Sequence, residues 1–364
     1  MDSIHKLSMY TLALVVLVLT FFWEQRIVRG QVTDVGMQPL SDVFTFSFAF
    51  GDKDLPGEYL IASRSIRWNA FTVDDSNNYY LFDEKCIKVY DSKGKAKAIL
   101  GRPGEGPEEF GRGPGLVTAS PAGYITACND QVDHKFYNVF SPEYKFINTV
   151  FESTFEVGTQ YPCKVVALNE NEFVRELTES RLEEGILFHT FSLEYSMNGE
   201  ATILISYDVP THIATERSRM SLPYLGDLFW FILPGRKVAC THTRWDEEHT
   251  TNGNYYLIHL IDLDSNNKQV IRQPFKLIPI PESLRKGGFT FSGSKYEREI
   301  IESRRNDYLE KNPVENYPGL QFVYCDGLTI FALTREMRES EEGNPEYVAH
   351  VIDSEKGNIL SNFK

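Results

Sequence analysis

His242, Asp246, Glu247, Glu248 and His249 form the densest set of metal-ligand side chains in the sequence. Two imidazoles and three carboxylates could hold zinc, or a harder cation through oxygen, if one loop gathered them. Nothing at metal-ligand spacing elsewhere completes the set, and a solvated loop is the simpler reading. His242, Asp246 and His249 therefore stand as weak ligand candidates: a divalent metal is possible and no cofactor is predicted. Asp83, Asn129, Asp130, His242 and Asp326 fall near equivalent strand ends, where a channel could bring them round an ion that polarises a substrate. Turn duty explains them more simply. No G-x-S-x-G elbow, H-E-x-x-H or Cys/His pairing is present, so nucleophilic and zinc-protease chemistry have no support.

Gly101, Gly104 and Gly106 have the look of a phosphate-cradling loop, which needs a helix N-terminus behind it. Pro107, Gly111, Gly113, Pro114 and Gly115 prevent that helix, so the stretch reads as a structural joint in which Phe110 packs between units. The joint comprises Gly101, Gly104, Gly106, Pro107, Glu109 and Phe110. Recognition is left as the chemistry the loops can offer. Arg217, Arg219 and Tyr224 in one loop, and Arg244, Trp245 and Tyr255 in another, combine guanidinium and aromatic groups. They are the candidate surface for a protein, peptide or glycan partner.

The elements that position these groups repeat. Each unit has an apolar strand, a turn rich in Asp, Asn, Gly or Pro, a second strand and a further hairpin. With Asp74, Ser120, Asn169, Pro234 and Asp326 as matching points, the steps are 46, 49, 65 and 92 residues. The last step hides a unit or carries an insertion, and Lys295 to Asn312 within it has helical spacing closed by Pro313. Four-stranded units arranged radially bury their faces against one another. Five units are visible. A sixth is expected from the alternating Phe44, Phe46, Phe48 and Phe50 together with part of the region Arg272 to Ile280.

At Phe71 to Phe110, the Val-Asp-Asp-x-x-Asn turn, the Ile87-Lys-Val-Tyr-Asp-Ser-Lys-Gly94 hairpin and the closing Gly-x-Gly-Pro-x-Glu-Phe resemble an NHL-type repeat. The chain as a whole resembles the exported bacterial six-bladed β-propellers of that type, most of unknown function. The expected fold is thus all-β, a β-propeller of six blades, with an N-terminal hydrophobic helix. The expected organisation is a signal peptide or membrane anchor over 1–30, a tether over 31–42, and a propeller over 43–364 with a helical insertion near 281–312.

Met9 to Trp23 is nearly all apolar, with Lys6 before it and Arg26 and Arg29 after it, the layout of an export segment. Counted from Leu7 to Trp23, about 17 residues is at the short edge of what spans a bilayer, and a small-residue cleavage site is missing. Anchored and cleaved forms both remain open. The propeller is expected in the cell envelope, outside the cytoplasm. A net charge of −14, from 37 basic against 51 acidic residues, repels a phosphate backbone and argues against nucleic acid. Five widely spaced cysteines form no C-x-x-C pair and read as small buried strand residues, with a disulfide possible but unassignable. The expected function is non-catalytic binding through channel-mouth loops; the alternative is a metal-dependent hydrolase or lyase resembling a lactonase.

Overall fold

The computed structural model describes residues 56–62, 70–111, 116–130, 134–154, 161–215, 217–287, 290–339 and 345–363. The apolar segment, the tether and the Phe44 to Phe50 strand lie outside the described residues. Among the described residues no helix is long and apolar enough to cross a membrane, and all five cysteines are thiols.

The chain folds into antiparallel blades arranged as a β-propeller. Blade 1 is β1 (Phe71–Val73), β2 (Tyr79–Asp83), β3 (Cys86–Tyr90) and β4 (Ala96–Leu100). Blade 2 is β5 (Val117–Ala119), β6 (Ile125–Asp130), β7 (His134–Phe140) and β8 (Phe146–Thr154). Blade 3 is β9 (Tyr161–Asn169), β10 (Glu172–Glu183), β11 (Ile186–Met197), β12 (Glu200–Ala214) and β13 (Arg219–Ser221). Blade 4 is β14 (Leu228–Leu233), β15 (Lys237–His242), β16 (Glu247–Thr250), β17 (Gly253–Asp262) and β18 (Lys268–Phe275). After it, β19 (Phe291–Ser292) returns to pair with β13, and helix α1 (Lys295–Lys311) follows. Blade 5 is β20 (Leu320–Asp326), β21 (Thr329–Glu339), β22 (Pro345–Asp353) and β23 (Ile359–Phe363).

The described residues thus make five blades, where the repeat pattern predicts six. Arg272 to Phe275, assigned to the extra blade, continue β18 and pair with Asn254 to Leu257 in blade 4. The reason is continuity: a strand that alternates exposed and buried residues from Val270 to Phe275 has no turn at which to leave its sheet.

Turns are set by short polar side chains. Asp74 Oδ1 accepts from the backbone N–H of Ser76 and Asn78, and Asp91 Oδ1 from Lys93 and Lys95. Each pair closes a tight hairpin. Between blades the apolar faces fuse into continuous cores. Tyr80, Phe82 and Ile87 of blade 1 meet Val117 and Ile125 of blade 2, and Val166 and Val174 of blade 3 meet Trp230 and Val238 of blade 4.

Blade 1 turns its other face, Tyr79, Leu81 and Tyr90, away from blade 2, and the segment 56–62 covers it through Tyr59 and Ile61. Tyr90 donates its hydroxyl to Tyr59 O at 2.6 Å, and Lys88 donates to Leu60 O at 2.5 Å. On this side of the ring, Asp326 of blade 5 approaches the Asp74–Asp75 turn. Burial, aided by the charge of Asp75, pushes the Asp326 carboxyl up to about 6. The folded state therefore holds this proton more tightly than the unfolded chain, whose carboxyl titrates near 3.9. Its stabilising contribution is complete below that value and is lost as pH rises through about 6. Asp326→Asn should make the protein about 1–2 kcal/mol more stable than wild type at pH 7.5, after allowance for partial solvent exposure, with the gap closing by about pH 4. Urea unfolding of the two proteins across that range measures it.

Candidate functional site

A cleft of about 640 Å³ opens where three segments from different parts of the chain meet. One wall is Leu222–Leu225, the connection from blade 3 to blade 4. The second is Arg244 and Trp245, in the turn between β15 and β16. The third is Tyr308 to Asn316, the end of α1 and the chain leading to blade 5, with Pro210 of β12 below.

Each wall is fixed by its own chemistry. α1 begins with a capping box in which Ser294 accepts from Glu297 N–H and donates its hydroxyl to Glu297 Oε2 at 2.8 Å. Its buried residues are Ile301, Arg305 and Leu309. Arg305, 1% exposed, ties the helix down by donating from Nε to Ser221 O at 2.9 Å and from Nη2 to Lys286 O. The helix ends at Lys311, Asn312 caps it, and Pro313 turns the chain along the cleft.

The Arg244–Trp245 turn is built on His242 and Asp246. The buried His242 Nδ1 accepts the backbone N–H of Arg244 and of Trp245, at 3.3 and 3.4 Å. Burial pushes this imidazole down to about 4, so it stays neutral and free to accept. Asp246 Oδ2 accepts from His242 N–H at 2.7 Å and from the Tyr207 hydroxyl at 2.6 Å, while Oδ1 accepts from His259 Nε2 at 2.9 Å. Arg244 then stitches the walls together: Nη2 donates to Asn316 O at 2.8 Å and Nε to Tyr224 O at 3.4 Å. Tyr224 donates its hydroxyl to Leu284 O at 2.7 Å and packs edge-on against Tyr317. Trp245, 39% exposed, stands on this wall with its ring edge toward His242.

Of the six residues singled out for recognition, Tyr224, Arg244 and Trp245 come together in the cleft, and the other three do not line it. Arg217 is exposed in the Thr215–Ser218 turn. Arg219 lies on β13, where its charge, after burial, helps lower the pKa of His189 and His212. Tyr255 lies under the Arg272 guanidinium, 3.4 Å from the ring centroid. The wall from Tyr308 to Asn316 was not foreseen. Its only signal is the Pro313 that ends the helix.

The metal candidates are otherwise employed. Asp246 gives both oxygens to protein donors, and His249 faces Asn254 at Nδ1 and Glu247 at Nε2. Among the described residues no group of three or more His, Cys, Asp or Glu converges as a metal set. The wider channel set does not assemble either. Asp83, Asn129 and His242 lie at or next to the end of the second strand of their blades, whereas Asp326 ends the first strand of blade 5. Antiparallel pairing puts those ends on opposite sides of the ring. Asp83 is instead ion-paired to Lys88, and Asn129 Nδ2 donates to Glu109 O at 2.8 Å.

No protein-family model and no curated protein matches the sequence. Among solved structures, the chain is similar to a protein of unknown function from Bacteroides caccae, with 10% identity over 81% of this chain and 80% of that one, at a TM-score of 0.34. It is also similar to U3-55K, with 8% identity over 83% of each chain and a TM-score of 0.34. A Bacteroides fragilis protein taken to be exported matches with 10% identity over 73% of this chain and 78% of that one, at a TM-score of 0.27.

Proposed function

We propose that the protein is a non-catalytic, envelope-associated β-propeller that captures an extended peptide segment of a partner protein in the cleft between blade 4 and α1. The observation that carries this reading is Trp245, a large apolar ring left 39% exposed on a wall held rigid by Arg244 and Tyr224. A preformed wall avoids the entropic cost of ordering on binding. Pro210, Pro223 and Pro313 line the cleft together with Tyr224, Trp245 and Tyr308, a lining that favours an extended, proline-containing strand over a compact ligand. The apolar N-terminal segment supplies the route to the envelope, as a cleaved signal or as an anchor. Within this proposal, kinship with NHL-type propellers rests on Phe71 to Phe110 alone.

Selection from a random peptide display library, with a glycan array run in parallel, tests the reading. Wild-type protein should enrich peptides that Trp245→Ala binds about 30-fold more weakly, the usual cost of truncating an aromatic anchor. Enrichment of the same peptides by both proteins would sink it. Binding on the glycan array alone would replace the peptide with a sugar.

A further inference from the structure

Lys164 stands on the innermost strand of blade 3, opposite Glu176 on β10. Its ammonium donates to Trp230 O at 2.7 Å and lies 4.1 Å from the centroid of the Trp230 ring and 5.1 Å from that of Phe231, both on the innermost strand of blade 4. Among the described residues no carboxylate comes within 4.0 Å of it. Glu176 is held aside, with Oε2 accepting from Trp230 Nε1 at 2.8 Å. One of three ammonium protons therefore has a named acceptor, and the charge of Glu176 acts on the ammonium from beyond ion-pair distance.

This place is partly open. Lys164, Glu176, Phe231, Tyr324 and Cys325 are all half-buried, and Phe322 is 44% exposed. From Phe231 the innermost strands of blades 4 and 5 continue as paired aromatic rings, Phe231 edge-on to Tyr324 at 5.8 Å and Phe229 edge-on to Phe322 at 5.3 Å. Burial lowers the Lys164 pKa to about 8, which leaves the amine largely charged at neutral pH. Burial also raises Glu176, which weakens it as a neutralising partner.

We propose that the central channel is a binding site for a small apolar carboxylate, whose anion pairs with Lys164 and whose flat body lies against Phe229, Phe231, Phe322 and Tyr324. A half-buried ammonium with no ion-pair contact is costly, and a carboxylate supplies both that contact and strong acceptors. A single cation walled by aromatic rings matches a monoanion with an apolar body better than a phosphate, which calls for several donors.

Titration calorimetry with 2-naphthoate tests this independently of the cleft. Wild type and Trp245→Ala should bind one equivalent alike, Lys164→Met should bind about 30-fold more weakly, and the neutral 2-naphthalenemethanol should bind wild type as weakly as naphthoate binds the Lys164 variant. The neutral analogue keeps the test decisive if Lys164→Met unfolds. Equal affinity of wild type for the acid and the alcohol, binding by Lys164→Met within about threefold of wild type, or no naphthoate binding by wild type at about 1 mM would overturn the proposal. Loss of naphthoate binding in Trp245→Ala would move the site to the cleft and overturn it equally.

Discussion

Lys88→Ala should cost the protein about 3–5 kcal/mol of unfolding free energy, because it strands a carboxylate that water cannot reach. Lys88 and Asp83 have side chains 1% and 0% exposed and meet at 2.8 Å. Asp83 Oδ2 also accepts from Ala62 N–H at 2.7 Å, and Lys88 reaches Leu60 O and Glu84 Oε2. Burial alone would depress the lysine, but its hydrogen bonds to Asp83 and Glu84 hold it above its ordinary value, so the ammonium stays charged throughout the neutral range. The pair pins the segment 56–62 over the face of blade 1 that no blade-2 residue covers, so its loss should loosen that segment as well. Urea unfolding should show the drop in midpoint, and hydrogen exchange should show Tyr59 to Ala62 losing protection. Lys88→Met with Asp83→Asn, which removes both charges and leaves an acceptor for Ala62 N–H, should recover a good part of the loss. A single variant as stable as wild type would mean that the pair holds nothing.

The hairpins of these blades were legible because turn chemistry is local. Asp74, Asp91 and Ser141 each accept from backbone N–H groups two and four residues on, a pattern written within five residues of sequence. What was not legible depends on distance. Among its described residues, the 92-residue step between the last matching points contains no extra unit. It holds β15 to β18 of blade 4, then β19 and α1, and then β20; β19 and α1 return to blade 3, through the pairing of Arg219 with Ser292, the Arg305 bond to Ser221 and the packing of Leu309 on Ile213. The segment that lies over blade 1 is too short to show a strand period in sequence: Tyr59 and Ile61 pack through side chains while Leu60 O serves Lys88.

The recognition loops show the same division. An exposed tryptophan beside an arginine is visible in sequence, but Tyr308 to Asn316 joins them only through α1, and Tyr255 leaves them because Arg272 stacks on it. Lys164 had no sequence signal beyond a lone cation in an apolar strand. Its interest arises from Trp230 and Phe231, more than sixty positions away. Residues that act through a neighbour on the same turn can be read early; those that act across the ring cannot.

The joint between blades 1 and 2 joins the local and the distant, and it supports the second large prediction. Phe110 is fully buried among Phe82, Ile87, Val117 and Ile125, with its ring 5.1 Å from that of Phe82 in an edge-on contact. Glu109 folds back so that Oε2 accepts Gly106 N–H at 2.7 Å and Oε1 accepts Arg102 Nε at 2.8 Å. A methyl group on Gly101, whose φ is +72°, would lie 2.3 Å from a Phe110 ring carbon. Gly101→Ala must therefore expel Phe110 or shift the blade, and should cost about as much as deleting the ring, about 3–5 kcal/mol. Gly106 takes no such φ, and its added carbon would meet only the carboxylate at the end of the Glu109 side chain, at 3.0 Å. Gly106→Ala should then cost less than about 1 kcal/mol, the range of a compatible glycine replacement. Chemical denaturation of the two variants gives the comparison. Equal costs would show that the loop, and not the phenylalanine it delivers, holds the two blades together.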